Sequence, residues 1–282
     1  MNYRHAFHAG GPADVVKHAV LARILVHLCE KPAAFRVIDT HAGSGLYDLH
    51  GPEANRSLES RDGIQRLVTA PLDDAPRALL APYLDLIAGL NDAGALATYP
   101  GSPAIARAFL RSQDRLIACE LEPNAAAARS RRLGHDRRIK TIAIDGWVAL
   151  NAYVPPPERR GIVLIDPPFE QPDDFERLVR ALEGAHRKWA TGIFLLWYPI
   201  KGRQEPDALA RRLRRAAIPK VLRAELDFGA SSAPGRLAGS GLIAVNPPWP
   251  LQSELAVLLP ALAKALAGES GGHRIDWLAG EK

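Results

Sequence analysis

The sequence predicts an α/β protein with a seven-stranded, mostly parallel sheet and an inserted helical subdomain. Three observations predict this class: seven short β-rich runs, helical patterns between the early runs, and a glycine-rich turn directly after the first run. A strand that leads into a glycine turn is typical of the nucleotide-type α/β folds. At 282 residues, the chain fits either about two domains or one sheet-based domain that carries an insertion.

The composition is that of a globular chain. With 47% hydrophobic and 24% charged residues, it excludes wholesale disorder and fibrous repeats. Lysine and arginine exceed the acidic residues by five, and the isoelectric point is near 9.4, which favours a polyanionic partner. Cys29 and Cys119 fall in a predicted helix and a predicted strand, which favours neither a disulfide framework nor a zinc cluster. We therefore expect a reducing, cytoplasmic location.

The apolar runs are short. The longest, 192–200 and 255–259, fall below the roughly 18 residues that a membrane-spanning helix needs, so we expect no membrane span. Residues 1–5 are polar and aromatic and lack the apolar centre of a secretion signal. We expect them to act in the mature protein.

The first elements are a helix and a strand. Residues 12–30 place apolar side chains at three-and-four spacing after a glycine pair, which predicts an amphipathic helix that packs on the core. The β-rich run 35–39 follows and ends in the glycine turn 40–45.

An insertion follows this turn. From residue 46 to about residue 99 the β signal disappears, and helical patterns occupy 58–70 and 75–90 around proline breaks. We interpret residues 47–99 as an inserted helical subdomain. Residues 1–46 and 100–282 then form the main domain.

The remaining chain alternates strands with helices. Ser102 and Pro103 provide an N-cap and a first-turn proline for a helix that runs to about Arg111. Helical patterns at 123–133 and 172–185 separate the early strands and favour parallel pairing, whereas the loop between the last two strands favours an antiparallel pair at one edge. The six further β-rich runs are 116–121, 140–144, 161–166, 192–197, 221–226 and 241–245.

Ligands of open α/β sheets bind at the carboxyl ends of the strands, so we expect the functional side chains there. The glycines of the 39–45 segment allow close approach of a ligand to the backbone, but neither G-x-G-x-x-G nor a P-loop is present, which disfavours phosphate binding. Glu120, at a strand end, suits two ribose hydroxyls, and Asp145 with Gly146 suits an exocyclic amine of adenine. Each is also compatible with a structural role, as a turn or an exposed acid.

The most specific signal is Asp166-Pro167-Pro168-Phe169 after an apolar strand. Two prolines stiffen the backbone, so the Asp166 carboxylate and the Pro167 carbonyl can accept hydrogen bonds from both N–H groups of a planar amine. Phe169 can then stack on the ring that carries the amine. The alternative is a rigid turn. Asn246-Pro247-Pro248-Trp249 has the same pattern, but it follows the last strand, far from the expected switch point between the first and fourth strands.

Two histidines near the N-terminus and two basic clusters are further candidates for binding. His5 and His8 have the spacing of a metal pair, but without a third ligand we expect RNA-facing or turn residues and no metal site. Two basic clusters are either solvated helix faces or phosphate contacts with salt-dependent affinity. Their members are Arg129, Arg131, Arg132, Arg137, Arg138 and Lys140, and Arg211, Arg212, Arg214, Arg215 and Lys220.

Taken together, these motifs resemble the RlmJ-type 23S ribosomal RNA adenine-N6 methyltransferases over nearly the whole chain. Phe169 departs from the tyrosine that is common at this position, which preserves stacking but removes a hydroxyl. Little between residues 46 and 98 can be matched. The matching segments are Tyr3–Gly10, Asp14–His18, Asp39–Gly45, Tyr99–Pro103, Asp145–Gly146, Asp166–Phe169, Trp197–Pro199 and Asn246–Trp249.

The resemblance implies a Rossmann-like, class I S-adenosyl-L-methionine-dependent fold that methylates N6 of one adenosine in large-subunit rRNA. It implies catalytic roles for Asp166, Pro167 and Phe169 and an RNA contact at Tyr3. The implied cofactor-binding residues are His18, His41, Ser102, Glu120, Asp145, Gly146 and Asp166.

The expected partner is 23S rRNA, naked or in an early assembly intermediate, and we expect a monomer. Three alternatives stay open: a DNA adenine-N6 methyltransferase, a protein glutamine-N5 methyltransferase, and a non-catalytic RNA-binding protein. The first two remain because any planar amine can use the same two acceptors.

Overall fold

A computed structural model describes residues 4–92, 95–229 and 237–280. The strands are β1 (Arg36–Asp39), β2 (Leu46–Asp48), β3 (Thr98–Pro100), β4 (Arg115–Glu120), β5 (Ile139–Ala143), β6 (Gly161–Ile165), β7 (Ile193–Ile200), β8 (Val221–Asp227), β9 (Gly239–Val245) and β10 (Gly272–Ala279). The helices are α1 (Pro12–Glu30), α2 (Pro52–Ser57), α3 (Glu59–Asp62), α4 (Ile64–Thr69), α5 (Asp74–Gly89), α6 (Ser102–Phe109), α7 (Pro123–Leu133), α8 (Gly146–Tyr153), α9 (Asp174–Lys188), α10 (Gln204–Arg215) and α11 (Leu251–Ala267).

The main sheet has eight strands in the order β10-β8-β9-β7-β6-β1-β4-β5. All seven predicted strands are present, which confirms the fold class, and β6 pairs in parallel with β1 as expected for the switch point. The count of seven was wrong, because β10 adds an eighth strand at the edge beside β8. The β8–β9 pair is antiparallel as predicted, but it does not form the edge.

Strand direction divides the sheet in two. Strands β5, β4, β1, β6 and β7 run in parallel, so their carboxyl ends meet at one edge. Strand β9 is antiparallel to β7 and pairs Val245 with Phe194. The carboxyl end of β9 therefore lies at the opposite edge of the sheet.

Helices cover both faces of the sheet. The face that holds Val37 packs against α1, α5, α6 and α11 in one apolar cluster, and the face that holds Ile38 packs against α8, α9 and α10 in another. Because successive side chains of a strand point to opposite faces, β1 contributes to both clusters.

Helix α1 spans the predicted residues, but the expected amphipathic pattern was wrong. Thirteen of its 19 residues are buried, because other helices and the sheet surround it. The buried set includes the charged or polar residues Asp14, Lys17 and His18. Such residues are rarely buried without partners, so they mark a site rather than a solvated face.

The insertion begins and ends in a two-stranded ribbon, where β2 pairs antiparallel with β3. This ribbon contradicts the expected lack of strands between residues 46 and 99. The predicted helix 58–70 is broken at Gly63, where a Cβ atom would lie 2.0 Å from the Gly10 carbonyl oxygen. Helix α5 packs on α1 and α11 and contributes Leu80 and Tyr83 to the main core. The domain boundary at residue 47 stays a prediction.

Helical residues Leu251–Ser270 are long and apolar enough to cross a membrane: an 18-residue window in this stretch has a mean hydropathy of 1.2, and 39% of the window is buried. This stretch is longer than the apolar runs counted in the sequence, because α11 continues through Pro260. Leu255, Leu258 and Leu262 are buried against neighbouring elements. Core helices of globular proteins meet the same length and composition criteria.

Candidate active site

Two cavities open at the carboxyl edge of the parallel strands, and they share His5, Asp166 and Pro168 as lining residues. The first, of about 360 Å³, is lined by the glycine turn after β1 and by Glu120, and we call it the glycine-loop cavity. The second, of about 460 Å³, is lined by Phe169 and Trp197, and we call it the aromatic cavity. Asp166 therefore stands at the junction of two separate spaces.

The glycine turn brings backbone to the wall of the first cavity. Gly43 has a φ of +57°, and a Cβ atom there would lie 2.1 Å from the Tyr47 hydroxyl oxygen. Only glycine fits this conformation and this contact without strain. The Gly43 N–H donates to Glu120 Oε2 at 2.9 Å, and the Glu122 N–H donates to Glu120 Oε1 at 2.9 Å. These two donors fix the Glu120 carboxylate at the cavity, where further acceptor capacity remains.

Arg129 supports the same turn from behind. Its guanidinium is fully buried and donates to the Gly43 and Ile142 carbonyl oxygens, at 3.2 and 3.1 Å. Burial lowers its pKa, while nearby Glu120 raises it. Both interpretations of Arg129, as part of a solvated helix face and as a phosphate contact, were therefore wrong, because no part of its side chain reaches the surface.

His41 lines the glycine-loop cavity with a defined tautomer. The Thr40 hydroxyl donates to the Leu164 carbonyl at 2.9 Å and therefore accepts from His41 Nδ1–H at 2.8 Å. His41 Nε2 is consequently an acceptor, and burial lowers the pKa of the ring. A Cβ atom on Gly146 would lie 2.4 Å from the Thr40 carbonyl oxygen, so this position admits only glycine.

Asp145 is the N-cap of α8. One of its carboxylate oxygens accepts from the Trp147 and Val148 backbone N–H groups at 2.9 and 3.0 Å. Asp145 and Gly146 line neither cavity. Their implied adenine contact stays a prediction.

Ser102 is the first residue of α6, whose N-cap is Gly101, so the predicted cap was displaced by one residue. Its hydroxyl donates to Asp39 Oδ2 at 2.7 Å, whereas the buried Asp39 Oδ1 has no partner among the described residues. Burial raises the pKa of Asp39 to about 6, and the nearby Asp166 charge acts in the same direction. Ser102 thus holds the carboxyl group of Asp39, the residue directly before the glycine turn.

A chain of charges leads from α1 to Asp166. Lys17 Nζ donates to Asp14 Oδ1 at 2.7 Å and to Asp166 Oδ2, and only 4% of the Lys17 side chain is exposed. Burial by itself disfavours the charged forms of both Asp14 and Lys17. Nevertheless, Asp14 and Asp166 raise the pKa of Lys17, and His5 and Lys17 hold the pKa of Asp14 well below its usual value. The Asp166 carboxylate is thereby fixed on a buried cation.

His18 lies deeper in the same helix. It is 1% exposed and lines neither cavity, and its Nδ1 is 2.7 Å from the Tyr99 hydroxyl. Burial lowers its pKa to about 3, so the ring is neutral. The structure thus places His18 beside the α1 charges, and its implied cofactor contact stays a prediction.

Aromatic rings form one wall of the second cavity. Phe169 adopts a φ of +48° and contacts Phe175 and Trp197, with ring centroids at 4.8 and 5.7 Å. The Trp197 Nε1–H donates to Ser240 Oγ at 2.9 Å, which holds the indole against the cavity. Pro167 is buried between Asp166 and this wall. The Asp166–Phe169 segment therefore joins an acceptor to an aromatic surface.

The similar Asn246–Trp249 segment lies elsewhere. It follows β9, whose carboxyl end is at the opposite edge of the sheet, as the sequence argument anticipated. The Asn246 side-chain amide donates to the Ala190 and Gly192 carbonyl oxygens at 2.8 and 2.9 Å. Asn246 is therefore a structural residue that caps a turn.

Tyr3 lies outside the described residues, so its RNA contact stays a prediction. His5 Nε2 is 3.0 Å from Asp14 Oδ2, and His8 Nδ1 is 2.9 Å from Glu59 Oε1. Each histidine thus pairs with a different carboxylate. In the part of the chain that the structure describes, no group of three potential metal ligands occurs.

The basic clusters are mostly remote from the cavities or internally paired. Arg212 pairs with Glu176, and Arg138 pairs with Asp136. Helix α10 runs back from β7 toward the strand starts, so Arg211 and Arg215 near its end lie away from the cavities. Lys201 and Arg66, which no motif indicated, line the aromatic cavity instead.

Comparison with known proteins gives the family. The model of the family described as "Ribosomal RNA large subunit methyltransferase D, RlmJ" matches residues 32–279. The chain is 39% identical over 282 residues to the ribosomal RNA large subunit methyltransferase J of Escherichia coli, and 38% identical over 283 residues to that of Haemophilus influenzae. Both matches cover 100% of each chain. The chain belongs to the RlmJ family.

A solved structure supports the RlmJ-family fold. Protein LPL1258 from Legionella pneumophila is 32% identical, with a TM-score of 0.86 over 95% of this chain and 98% of that chain. The resemblance stated from the motifs is thus confirmed at the level of family and fold.

Sequence reasoning missed Asp14 and Lys17 as site residues of this RlmJ-family chain. Both were quoted in a motif, but neither was assigned a role. The local signal was weak: an acid and a lysine lie three residues apart in the more apolar first half of α1, but the helix also carries Arg23 and His27.

Proposed function

We propose that this chain transfers a methyl group from S-adenosyl-L-methionine to N6 of an adenosine in 23S rRNA. The observation that carries the proposal is that Asp166 and Pro168 line both cavities. Group transfer between two ligands needs two spaces that meet at the reacting atoms. The names of the Escherichia coli and Haemophilus influenzae relatives support rRNA as the methyl acceptor.

The glycine-loop cavity fits the cofactor. Glu120 is fixed by two backbone donors, and its remaining acceptor capacity suits the two hydroxyls of a ribose. Gly43 brings backbone to the wall, where a side chain would collide with Tyr47. His41 adds an acceptor nitrogen to the same wall. When bound, the cofactor supplies an electrophilic methyl group on a sulfonium.

The aromatic cavity fits an extruded base. Phe169 and Trp197 present apolar ring surface for stacking, and Asp166 lines the same space. The Asp166 carboxylate and the Pro167 carbonyl accept hydrogen bonds from the two N–H groups of the adenine amine. These acceptors let the nitrogen pyramidalise and stabilise the positive charge as it develops.

The remaining requirements are the position of the reacting groups and the removal of the amine proton. Lys17 holds the Asp166 carboxylate in place from the side of α1. In-line displacement needs the amine nitrogen roughly 3 to 3.5 Å from the methyl carbon. The nitrogen forms a bond to that carbon as the carbon–sulfur bond breaks, and the amine proton then leaves to solvent. A strong base is unnecessary because the proton becomes acidic only after transfer.

The RNA backbone is best accommodated outside the insertion. Residues 47–99 contain four arginines and eight acidic residues, so the insertion has a net charge of −4 while the whole chain has +5. Lys201 is exposed at the aromatic cavity and has no ion pair among the described residues.

We propose that the chain acts as a cytoplasmic monomer on 23S rRNA, naked or in an early assembly intermediate.

The test is methyl transfer from labelled S-adenosyl-L-methionine to protein-free 23S rRNA, double-stranded DNA and a glutamine peptide. We expect incorporation into rRNA alone, at adenine N6 by nucleoside analysis. Asp166→Ala should lower turnover about a hundred- to a thousandfold while cofactor affinity stays within a few-fold. Incorporation into DNA or peptide alone, or into none, would contradict the proposal, and undiminished transfer by Asp166→Ala would remove Asp166 from its role.

A further inference from the structure

Three buried rings form a hydrogen-bonded chain from the insertion to α1. The Tyr83 hydroxyl of α5 is 2.9 Å from the Tyr99 hydroxyl, and the Tyr99 hydroxyl is 2.7 Å from His18 Nδ1. All three side chains are at most 1% exposed. Asp14 lies beyond them, with its Oδ1 at 4.0 Å from His18 Nε2.

The surroundings of the two terminal donors decide the direction of this chain. Burial raises the pKa of Tyr83 and of Tyr99, so both are phenols with one proton each. If Tyr99 donates to Tyr83, the Tyr83 proton has no acceptor among the described residues and is buried unsatisfied. If Tyr83 donates to Tyr99 and Tyr99 donates to His18 Nδ1, every hydroxyl donor is used, and the one donor left without a hydrogen bond is His18 Nε2–H. The second arrangement is favoured because the His18 N–H lies 4.0 Å from the Asp14 carboxylate and is attracted by its charge, whereas the Tyr83 proton would have no acceptor among the described residues.

The direction determines the histidine tautomer. A neutral imidazole that accepts at Nδ1 carries its proton on Nε2. In His18 that N–H lies 4.0 Å from the Asp14 carboxylate, so the attraction is electrostatic, and it has no hydrogen-bond partner in the described part of the chain. The opposite tautomer would direct a lone pair at the same carboxylate, which is electrostatically unfavourable in a buried environment.

We propose that Tyr83 and Tyr99 are positioning residues, which hold His18 with its proton on Nε2 toward Asp14 and thereby keep Lys17 aligned with Asp166. The insertion thus contributes to the catalytic carboxylate through the core rather than by touching RNA. The effect on turnover rests on the proposed function, whereas the tautomer is a property of the free protein.

The first test is the ¹⁵N NMR spectrum of histidine-labelled free protein, with His18 assigned by its loss in His18→Gln. We expect a pyrrole-like Nε2 and a pyridine-like Nδ1 in the wild type, and a mixture of tautomers in Tyr99→Phe. A protonated Nδ1 in the wild type would overturn the proposal whether or not the protein methylates RNA.

The second test separates positioning from cofactor binding. Tyr99→Phe, and less strongly Tyr83→Phe, should lower kcat about three- to tenfold, the range expected for one misoriented buried hydrogen-bonding group. KM for S-adenosyl-L-methionine should stay unchanged. Tyr153→Phe, which removes a hydroxyl on α8 outside both cavities, is the matched control. A raised KM with unchanged kcat would overturn the proposal, because His18 would then serve the cofactor directly.

The third test is a double-mutant cycle. A glutamine at position 18 places an amide nitrogen near the site of Nε2 and donates without help from Tyr99. Tyr99→Phe should therefore lower kcat in the wild-type background but not in the His18→Gln background. Equal losses in both backgrounds would show that Tyr99 supports packing only, and would overturn the proposal.

Discussion

The Lys17 ammonium lies between two carboxylates, Asp14 of its own helix and Asp166 at the end of β6. One buried cation therefore links the core helix to the residue at the junction of both cavities. A buried charge that loses its partner is strongly destabilising, and this gives the arrangement measurable consequences.

Lys17→Met should lower the free energy of unfolding by about 3–5 kcal/mol, because it leaves the Asp14 carboxylate buried without its cation. Urea unfolding at pH 7 measures this change. Adding Asp14→Asn to Lys17→Met should recover much of the stability, but it should not restore methyl transfer, because Asp166 would still lack its fixed position. Full activity in the double variant would contradict this role of Lys17.

Asp39→Asn should change how stability depends on pH. The pKa of Asp39 is about 6 in the folded protein and 3.8 in the reference state. A carboxyl group with a raised folded pKa contributes stability below pH 3.8 and loses it as pH rises through 6. As the pH rises from 4 to 8, the unfolding free energy of the variant should therefore increase by about 3 kcal/mol relative to that of the wild type. Parallel pH profiles in urea unfolding would disprove the buried, raised pKa.

Asp145 offers a test that separates capping from cofactor binding. Asp145→Ala should lower the free energy of unfolding by about 1 kcal/mol through loss of the α8 cap, and Asp145→Ser should restore it. Both variants should bind S-adenosyl-L-methionine more weakly in calorimetric titration, because each loses the carboxylate that we expect to accept from the adenine amine. Wild-type affinity in the serine variant would leave Asp145 with the capping role alone.

Asn246→Gly should keep kcat unchanged, because Asn246 lies at the edge of the sheet opposite to both cavities. The variant should lose about 1–2 kcal/mol of unfolding free energy with its two hydrogen bonds to carbonyl oxygens. Asn246→Ala should lose roughly 1 kcal/mol more, since the backbone φ of +49° disfavours alanine. A large loss of kcat in the glycine variant would show that the motif acts in catalysis after all.

Lys201→Ala should weaken RNA binding and reduce the slope of log affinity against log salt by about 0.7, which is one phosphate contact on a single strand. Arg215→Ala is the matched control, because Arg215 is an exposed cation at the far end of α10. Fluorescence anisotropy with an rRNA fragment measures both slopes. Equal slopes for Lys201→Ala and the wild type would place the phosphates elsewhere.

Local patterns made most of the main sheet predictable. Strands such as β6 are continuous apolar runs bounded by turns, and α7 was predicted with both ends correct. Strand β10 was missed because His273, Arg274 and Asp276 interrupt its apolar pattern, and its pairing with β8 depends on contacts distant in sequence.

The candidate site was predictable only where a functional side chain lies at the carboxyl end of a strand. Asp166 and Glu120 were identified from that rule and do line the glycine-loop cavity. Lys17 and Tyr83 could not be assigned in the same way, because burial of a charge or a phenol depends on which elements surround it. That information arises when α1 is enclosed by the other helices.

The β2–β3 ribbon brings the two ends of the insertion side by side, with Leu46 opposite Pro100. A segment that enters and leaves at adjacent residues can be grafted or exchanged between relatives without stretching the host chain. Tyr83 limits that freedom, since a chimera must still deliver a phenol to the Tyr99 hydroxyl. We expect grafts that keep this one side chain to retain turnover, and grafts that lack it to fold but turn over slowly.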